Sequence, residues 1–306
     1  MKAKLKKQNG ITLVALVITI IVLLILATVS IKIIMDGGLI TKAKSATDQH
    51  TIGAEKEAIQ TGYAAYQIDL ANKETAELKV KGANTTLNNN ENEWDIEFDN
   101  GNKYIMLING KIIKNTVPSE YSQCEYIENT GKAYIDTNLS LSENFKIIGE
   151  YAQTKVLNLE QPVVSIWTVQ YNYWNLFVRI GDKRADIYTA KHNVMSKEFE
   201  LNQKHNFEII RNKSEWSLKI DEEVMNWKYE AKEINPTTLK LLARGDLNFT
   251  CYNRLYKVKV YDNSEIIGNF IPCIDTNNTP CMYDTVTGKT FYNNGQGEFI
   301  AGPVIE

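Results

Sequence analysis

The chain has 306 residues, of which 34 are Lys or Arg and 37 are Asp or Glu, so its formal net charge is −3. Outside the first ten residues the basic side chains form no cluster or stripe, which excludes a nucleic-acid-binding protein on electrostatic grounds. The length is sufficient for two modest folded units after an N-terminal segment.

The first element in chain order is an uncharged apolar run from Ile11 to Ile31. A helix of this length spans roughly 30 Å, the thickness of the hydrocarbon core of a bilayer. The preceding leader contains no acid and four lysines, namely Lys2, Lys4, Lys6 and Lys7. By the positive-inside rule, this charge keeps the N-terminus in the cytoplasm. The pattern predicts a transmembrane helix over residues 11–34 that contacts membrane lipid, and a single-pass protein whose C-terminal domains are extracellular, at the cell surface or on a pilus.

The junction between leader and apolar run reads KKQNG then ITLVAL over residues 6–16. It resembles the N-terminus of type IV prepilins and of the pseudopilins of type II secretion. The resemblance implies that residues 1–10 form a leader that prepilin peptidase removes between Gly10 and Ile11, that Ile11 is N-methylated, and that other pilin or pseudopilin subunits are partners. The family usually has a glutamate five residues into the mature chain, where this sequence has Ala15. That departure resembles a minor subunit at the filament tip, and a plain anchor that never polymerises is the alternative.

A helix and a small sheet are predicted between the apolar run and the second half of the chain. Apolar residues recur at helical spacing from Leu39 to about Lys79. Residues 82–93 read as a polar loop. Three strand-like segments follow, with turns at Asn100-Gly101 and Asn109-Gly110: 94–98, 104–108 and 111–113. In the light of the resemblance, residues 35–117 are expected to form a pilin-like helix packed on a small antiparallel sheet.

The first of these strands contains three alternating carboxylates. Glu93, Asp95 and Glu97 have the E-x-D-x-E spacing that resembles the catalytic strand of family 16 glucanases. However, any half-buried strand shows the same alternation, with Trp94, Ile96 and Phe98 facing inward and the carboxylates in water. We favour the structural interpretation, since this strand directly follows a helix and does not lie deep within a jelly roll.

The remainder of the chain, residues 118–306, consists of short segments in which apolar and polar residues alternate. This pattern is typical of an antiparallel β-sandwich. The strand-like segments are 133–137, 145–152, 163–168, 176–180, 207–210, 216–220, 255–261 and 266–271. The blocks EYIENTG (125–131), YIDT (134–137), YKVKVYD (256–262), FIPC (270–273), MYD (282–284), FYN (291–293) and GEFIAGP (297–303) resemble concanavalin A-like, laminin G-type domains. The expected fold class is therefore α+β: a long N-terminal transmembrane helix with a small pilin-like antiparallel sheet, followed by an all-β jelly-roll sandwich.

The resemblance to this family implies a glycan or a surface protein as ligand. The ligand-binding candidates are Tyr171, Tyr173, Trp174 and Arg179, since aromatic rings stack on sugars and a guanidinium provides hydrogen-bond donors. Some members of the family bind calcium. The oxygen-bearing residues Asp182 and 275–278 lack a recognised ligand spacing, so no metal site and no cofactor is assigned.

The four cysteines are Cys124, Cys251, Cys273 and Cys281. Four cysteines allow three pairings. Cys273 and Cys281 are close enough in sequence to close a small loop as a disulfide, and reduced buried thiols are an equally good interpretation.

These observations favour a non-enzymatic protein: a minor, tip-type pilin or pseudopilin that carries a lectin-like domain for adhesion or recognition. The first alternative is a membrane-anchored surface binding protein that does not polymerise. A cell-wall glycan hydrolase using Glu93, Asp95 and Glu97 is the third.

Overall fold

The computed structural model describes residues 19–21, 23, 39–72, 75–89, 92–155, 162–166, 176–180, 184–188, 192–196, 199–230, 237–243 and 251–305. The chain divides into two compact units, Met1–Gly82 and Ala83–Glu306.

The first unit contains the helix α1 (Leu39–Ala71) and a short irregular segment after it. In the middle of the helix Ile59 is fully buried, and in the irregular segment Leu78 is fully buried as well. A Cβ atom at Gly62 would lie 2.3 Å from the carbonyl oxygen of Lys79. The segment therefore lies directly against the helix, and the absence of a side chain at Gly62 allows this close approach. α1 ends earlier than the expected Lys79.

The predicted long N-terminal transmembrane helix is not found, and the expected fold class is wrong in this respect. Within the described part of the chain, no helix combines the length and the apolar character needed to cross a membrane. α1 is long enough, with 33 residues, but charged side chains such as Lys44 and Asp48 interrupt it. The same finding contradicts the predicted single-pass membrane placement. The predicted transmembrane segment 11–34 lies outside the described residues, apart from the helical positions 19–21 and 23.

The second unit starts with a four-stranded antiparallel sheet in the order β1-β2-β3-β4. Its strands are β1 (Ala83–Asn88), β2 (Glu93–Phe98), β3 (Lys103–Leu107) and β4 (Ile112–Lys114). β1 occupies half of the segment that was expected to be a polar loop. The sheet packs on the rest of the unit through Ile105, Leu107 and Ile113, which form one buried cluster with Tyr261 and Ile266.

Two further antiparallel sheets form a β-sandwich. In chain order the strands are β5 (Ser122–Gln123), β6 (Ile127–Gly131), β7 (Ile135–Asp136), β8 (Asn144–Gln153), β9 (Pro162–Ile166), β10 (Leu176–Ile180), β11 (Arg184–Tyr188), β12 (His192–Ser196), β13 (His205–Asn212), β14 (Glu215–Ile220), β15 (Glu223–Lys228), β16 (Lys240–Leu241), β17 (Cys251–Asp262), β18 (Glu265–Ile274), β19 (Pro280–Asp284), β20 (Lys289–Phe291) and β21 (Phe299–Ala301). Among the described strands, the larger sheet runs β15-β14-β13-β8-β17-β18-β19-β20, with β5, β6 and β21 attached, and the smaller runs β12-β11-β10-β9-β16-β7.

The sandwich core lies between these sheets. From the larger sheet, β8, β13 and β17 contribute alternate residues that are almost completely inaccessible, such as Ile147, Ile209 and Val258. From the smaller sheet, Val164 and Leu241 join the same cluster. The period-two alternation seen in the sequence thus separates core positions from the outer face of the larger sheet. The four-stranded sheet β1–β4, called the small sheet below, packs on part of that outer face.

Candidate functional site

Three tight turns and the start of β8 surround a groove of about 810 Å³ in the second unit. The turns are those between β3 and β4, between β13 and β14, and between β17 and β18. We call this cavity the turn groove. Its lining residues are Asn92, Leu107, Ile108, Asn109, Asn144, Phe145, Lys146, Ile210, Arg211, Asn212, Lys213, Tyr261, Asn263 and Ser264.

Local sequence explains the shape of each turn. Gly110 has a φ of 84°, in the left-handed region that glycine favours, and the side chain of Asn109 accepts a hydrogen bond of 3.0 Å from the Lys111 N–H. Asn263 and Ser264 have φ values of 48° and 67°. Positive φ at both central residues defines a type I′ turn, whose twist matches that of the paired strands.

Asn144 connects two of the turns. Its backbone carbonyl accepts a 2.8 Å hydrogen bond from the N–H of Asn263. Its side-chain oxygen accepts one of 3.2 Å from the N–H of Lys213, and its side-chain NH₂ donates to Asn263 Oδ1 at 3.3 Å. The groove floor is therefore held by side-chain amides, and the turns on either side keep a fixed spacing.

Within the part of the chain that the structure describes, the charged side chains that line the turn groove are all cations. The ammonium of Lys146 lies 4.7 Å from the ring centroid of Tyr261. The guanidinium of Arg211 lies 5.0 Å from the ring centroid of Trp216, and its Nε donates to the carbonyl of Lys213 at 3.1 Å. Burial lowers the pKa of Arg211 below its ordinary value, an effect that the nearby carboxylate of Glu143 opposes. The groove thus favours an anion.

A second polar groove in the same unit, of about 590 Å³, differs in its charge balance. Its lining includes Glu150 as well as Lys204 and Lys257. The two ammonium groups lie 3.0 and 2.8 Å from the carboxylate of Glu150. Burial raises the pKa of Glu150, but these two lysines outweigh that effect and leave it below its ordinary value. The lysine charges are thus largely neutralised locally, which makes this groove the weaker candidate for an anionic ligand.

A third cavity, of about 490 Å³, shares Ile210 and Asn212 with the turn groove. Its lining includes Trp216 and Trp227, which stack with ring centroids 6.0 Å apart and an interplanar angle of 19°. Trp216 is almost fully buried and donates its ring N–H to the carbonyl of Tyr229 at 3.3 Å. The aromatic pair therefore stiffens the sheet edge next to the groove.

The three carboxylates of the E-x-D-x-E motif are not all exposed to solvent. Glu93 is fully buried and accepts hydrogen bonds from the ammonium of Lys259 and, at 2.9 Å, from the hydroxyl of Tyr261. Asp95 and Glu97 are exposed, and Glu97 lies 3.2 Å from Lys103 Nζ. The expectation that all three carboxylates face water is wrong for Glu93, because a partner cation from β17 neutralises it inside the protein.

The predicted ligand-binding residues lie mostly beyond the described part of the chain. Tyr171, Tyr173 and Trp174 lie outside the described residues, as do the processing positions Gly10 and Ile11. Arg179 lies in β10, opposite Asp186 of β11. Sequence reasoning did not identify the turn groove, and the only local signal for it is the abundance of asparagine at the turns.

The oxygen-rich loop at 275–278 is a hairpin turn. The carboxylate of Asp275 accepts hydrogen bonds from the N–H groups of Asn277 and Thr279, at 2.9 and 2.8 Å, and from the hydroxyl of Tyr292 at 3.1 Å. These contacts lower the pKa of Asp275, the Thr279 bond most of all. The described residues contain no group of three or more His, Cys, Asp or Glu side chains placed to hold a metal ion, and calcium remains unassigned.

Comparison with known proteins gives no match to a family model and none to a curated protein. Among solved structures, a candidate carbohydrate-binding protein from Bacteroides ovatus matches with a TM-score of 0.45 and 9% identity, over 80% of this chain and 86% of that one. Domains LG4-5 of the mouse laminin alpha1 chain match with a TM-score of 0.37 and 10% identity, over 55% and 51%. The CBM40 of a Ruminococcus gnavus sialidase matches with a TM-score of 0.34 and 13% identity, over 49% and 92%.

The matched region is often only part of the other protein. This chain covers about half of the laminin fragment, and between 21% and 37% of the Trypanosoma rangeli sialidase chains that it also matches. At these identities and TM-scores the likeness assigns neither a family nor a ligand. The antiparallel β-sandwich itself is established by the strand pairing described above.

Proposed function

We propose that this chain is a non-catalytic glycan-binding protein and that the turn groove binds an anionic sugar. One observation carries the proposal: among the residues that the structure describes, five asparagines and three cations line the groove, and no carboxylate does. Sugars present many hydroxyl groups in fixed directions. The amides of Asn144 and Asn263 are bonded to each other and hold the turns, so Asn92 and Asn212 are the amides proposed to donate to one hydroxyl and accept from the next. The three cations add a preference for a sugar that carries a carboxylate or a sulfate.

Apolar groups complete the proposed binding surface. Ile108 at the tip of the β3–β4 turn is 55% exposed, and it lines the groove together with Ile210. The C–H faces of a sugar ring can pack on such side chains while its hydroxyls bond to amides. The nearest carboxylate on the β17–β18 turn, Asp262, is already engaged by the N–H of Ser142 at 2.9 Å and by the Asn263 amide at 3.3 Å.

Calorimetric titration of the full chain with uronic-acid oligosaccharides and with their carboxyl-reduced neutral counterparts tests the proposal. Loss of one hydrogen bond or one ion contact amounts to about 1 to 1.5 kcal/mol, so Asn212→Ala and Lys146→Gln should each weaken the acidic ligand about 5- to 10-fold. Matched controls are Asn206→Ala at the other end of β13 and Lys219→Gln on β14, which line none of the three cavities and should leave Kd unchanged.

The outcomes separate the parts of the proposal. Equal affinity for acidic and neutral forms would remove the anionic preference but leave glycan binding. Wild-type affinity in Asn212→Ala and Lys146→Gln would exclude the turn groove. Tyr171, Tyr173, Trp174 and Arg179 are the second proposed set of ligand-binding residues, and loss of binding in the Tyr171→Ala, Tyr173→Ala double variant would favour them.

The finer proposal is that this binding unit belongs to a minor pilin-type subunit processed between Gly10 and Ile11. It is supported by the basic leader and by the order in which a helix precedes a small antiparallel sheet. The mass of the mature N-terminus tests it. An N-methylated Ile11 would support processing by a prepilin peptidase and assembly with other pilin subunits, whereas an intact Met1 or Lys2 would contradict both and leave a binding protein that does not polymerise.

Hydrolysis by the E-x-D-x-E strand is the disfavoured function. The resemblance assigns the three carboxylates to the nucleophile, helper and acid/base roles, so Glu93 as well as Glu97 would have to reach the scissile bond. Glu93 has no exposed surface and is bonded to Lys259 and Tyr261. Any hydrolysis of cell-wall glycan that disappeared in Asp95→Ala or Glu97→Ala would reinstate this candidate.

A further inference from the structure

Three of the four cysteines are buried thiols, and two of them face each other. Cys273 of β18 and Cys281 of β19 are direct cross-strand partners, with their sulfur atoms 3.4 Å apart. Neither side chain has exposed surface. The two thiols are therefore in van der Waals contact within the sheet.

The backbone at this pair already has the spacing that a disulfide requires. Directly opposed residues in an antiparallel pair have Cα atoms about 4.5 to 5.5 Å apart, within the range of about 4.4 to 6.8 Å found across disulfides. Rotation of the two side chains would bring the sulfur atoms to bonding distance without a shift of either strand.

The third thiol, that of Cys124, lies near the same pair but is hydrogen-bonded to a different group. The register places Gln123 opposite Cys273, so Cys124 is one position away from that pair. Its backbone N–H bonds to the carbonyl of Pro272 at 3.0 Å, and its thiol donates to the carbonyl of Tyr126 at 3.4 Å. The geometry thus distinguishes one pairing among the three described cysteines.

We propose that Cys273 and Cys281 form a cross-strand disulfide when the chain folds in the presence of a disulfide donor, and that Cys124 remains a thiol. One cysteine, as thiolate, attacks the donor disulfide and releases one donor thiol. The second thiolate then attacks the mixed disulfide and releases the other. The two cysteines lose two protons and two electrons, and the donor is reduced to two thiols.

The reaction precedes completion of the fold. The hydrogen bond between Cys273 and Cys281, together with burial, raises the pKa of Cys273. Burial raises the pKa of Cys124 to about 12. In the closed sheet the thiols of Cys273 and Cys124 are therefore protonated and unreactive at neutral pH, because the thiolate is the nucleophile. Once formed, the bond would join β18 and β19 across their five-residue loop and restrict the unfolded chain.

The experiment refolds the full chain with oxidised glutathione or with dithiothreitol, alkylates it under denaturing conditions and maps the peptides by mass spectrometry. The expected result with glutathione disulfide is a Cys273–Cys281 link with Cys124 alkylated, and a Tm about 3 to 8 °C higher than that of the reduced chain. The control variant Cys124→Ala should keep both the link and the Tm difference. Cys281→Ala should lose both.

Two results would overturn the proposal. One is a link from Cys124 to either partner as the main product in the wild-type chain. The other is complete alkylation of Cys273 and Cys281 after refolding with glutathione disulfide. Because the link is measured on the wild-type chain, the test does not depend on whether Cys281→Ala folds.

Discussion

Gly149 shows how one residue in β8 sets the packing of the sandwich core. An added Cβ would lie 2.5 Å from a ring carbon of Phe207 and 2.8 Å from the carbonyl oxygen of Lys257. Phe207 is almost fully buried, so its ring has little room to move. The strand therefore requires glycine here for close packing.

Gly149→Ala should lower the free energy of unfolding by about 1 to 3 kcal/mol, because overpacking a dense core displaces backbone or ring. Urea denaturation followed by circular dichroism measures the change. Gly131→Ala in β6 is the matched control, since a Cβ there has no atom within 4 Å. Equal stability of Gly149→Ala and Gly131→Ala would show that the core around Phe207 rearranges freely.

At the scale of elements, an ion pair fastens the edge strand β7 to β16. Lys240 lies opposite Asp136 in the register, and its Nζ donates to the carboxylate at 2.6 Å. The hydroxyl of Thr238 donates to the same carboxylate, also at 2.6 Å. Burial raises the pKa of Asp136, but these donors outweigh it and hold the pKa below the ordinary 3.8.

The pKa of Asp136 is lower in the folded state than in the unfolded state. The stabilisation that its carboxylate provides is therefore complete above the unfolded-state pKa and is lost as the pH falls through the folded-state pKa. Asp136→Asn should therefore lower Tm at pH 7, and its difference from the wild type should shrink below about pH 4. Thermal melts between pH 2 and 7 measure this. Glu215→Gln removes an exposed ion pair to Lys228 and should change Tm little at any pH. A Tm difference for Asp136→Asn that is independent of pH would contradict the ion-pair explanation.

Local pattern predicted the long strands of the larger sheet well and missed many of the shorter strands. β8, β13, β14, β17 and β18 each overlap a predicted strand, because alternate buried residues leave a period-two signal. β1 leaves no such signal: its sequence, ANTTLN, is mostly polar, and it is held by backbone pairing with β2. An edge strand of this kind is recognisable only once its partner is known.

The turn groove shows the same limit for the site. The Asn-Gly turn at 109–110 was predicted, and its local geometry follows from those two residues. The position of this turn beside those at 213–214 and 263–264 depends on pairing between strands that are distant in the sequence. A single sequence does not show which distant strands pair. The conformation of the Asn109-Gly110 turn was therefore predictable from the sequence, whereas the groove was not.

At the scale of the whole second unit, the small sheet (β1–β4) and the β-sandwich form one compact body, residues 83–306. The buried pair of Glu93 and Lys259, which are 166 positions apart in the sequence, joins them. Tyr261 supplies a second hydrogen bond to Glu93 at 2.9 Å, and its ring also belongs to the apolar cluster between the sheets. Polar and apolar contacts therefore act together at this junction.

Glu93→Ala should destabilise the protein by about 3 to 5 kcal/mol, because it leaves the Lys259 ammonium buried without its carboxylate. The double variant Glu93→Leu, Lys259→Met should recover much of this loss, since apolar groups of similar size replace both charges. Glu97→Ala, in the same strand and the same sequence motif, removes an exposed pair with Lys103 and should change stability by less than about 1 kcal/mol.

Equilibrium unfolding in urea, followed by both far-UV circular dichroism and tryptophan fluorescence, distinguishes two consequences of losing the pair. Coincident transitions at a lower midpoint would mean that the small sheet still unfolds with the sandwich. Transitions that no longer coincide in Glu93→Ala, but do so in the wild type, would mean that the pair is what makes the two sheets cooperative, because circular dichroism reports both sheets whereas four of the five tryptophans lie outside β1–β4. If Glu93→Ala were no less stable than Glu97→Ala, the apolar cluster alone would hold the junction, and the buried charges would have no structural role.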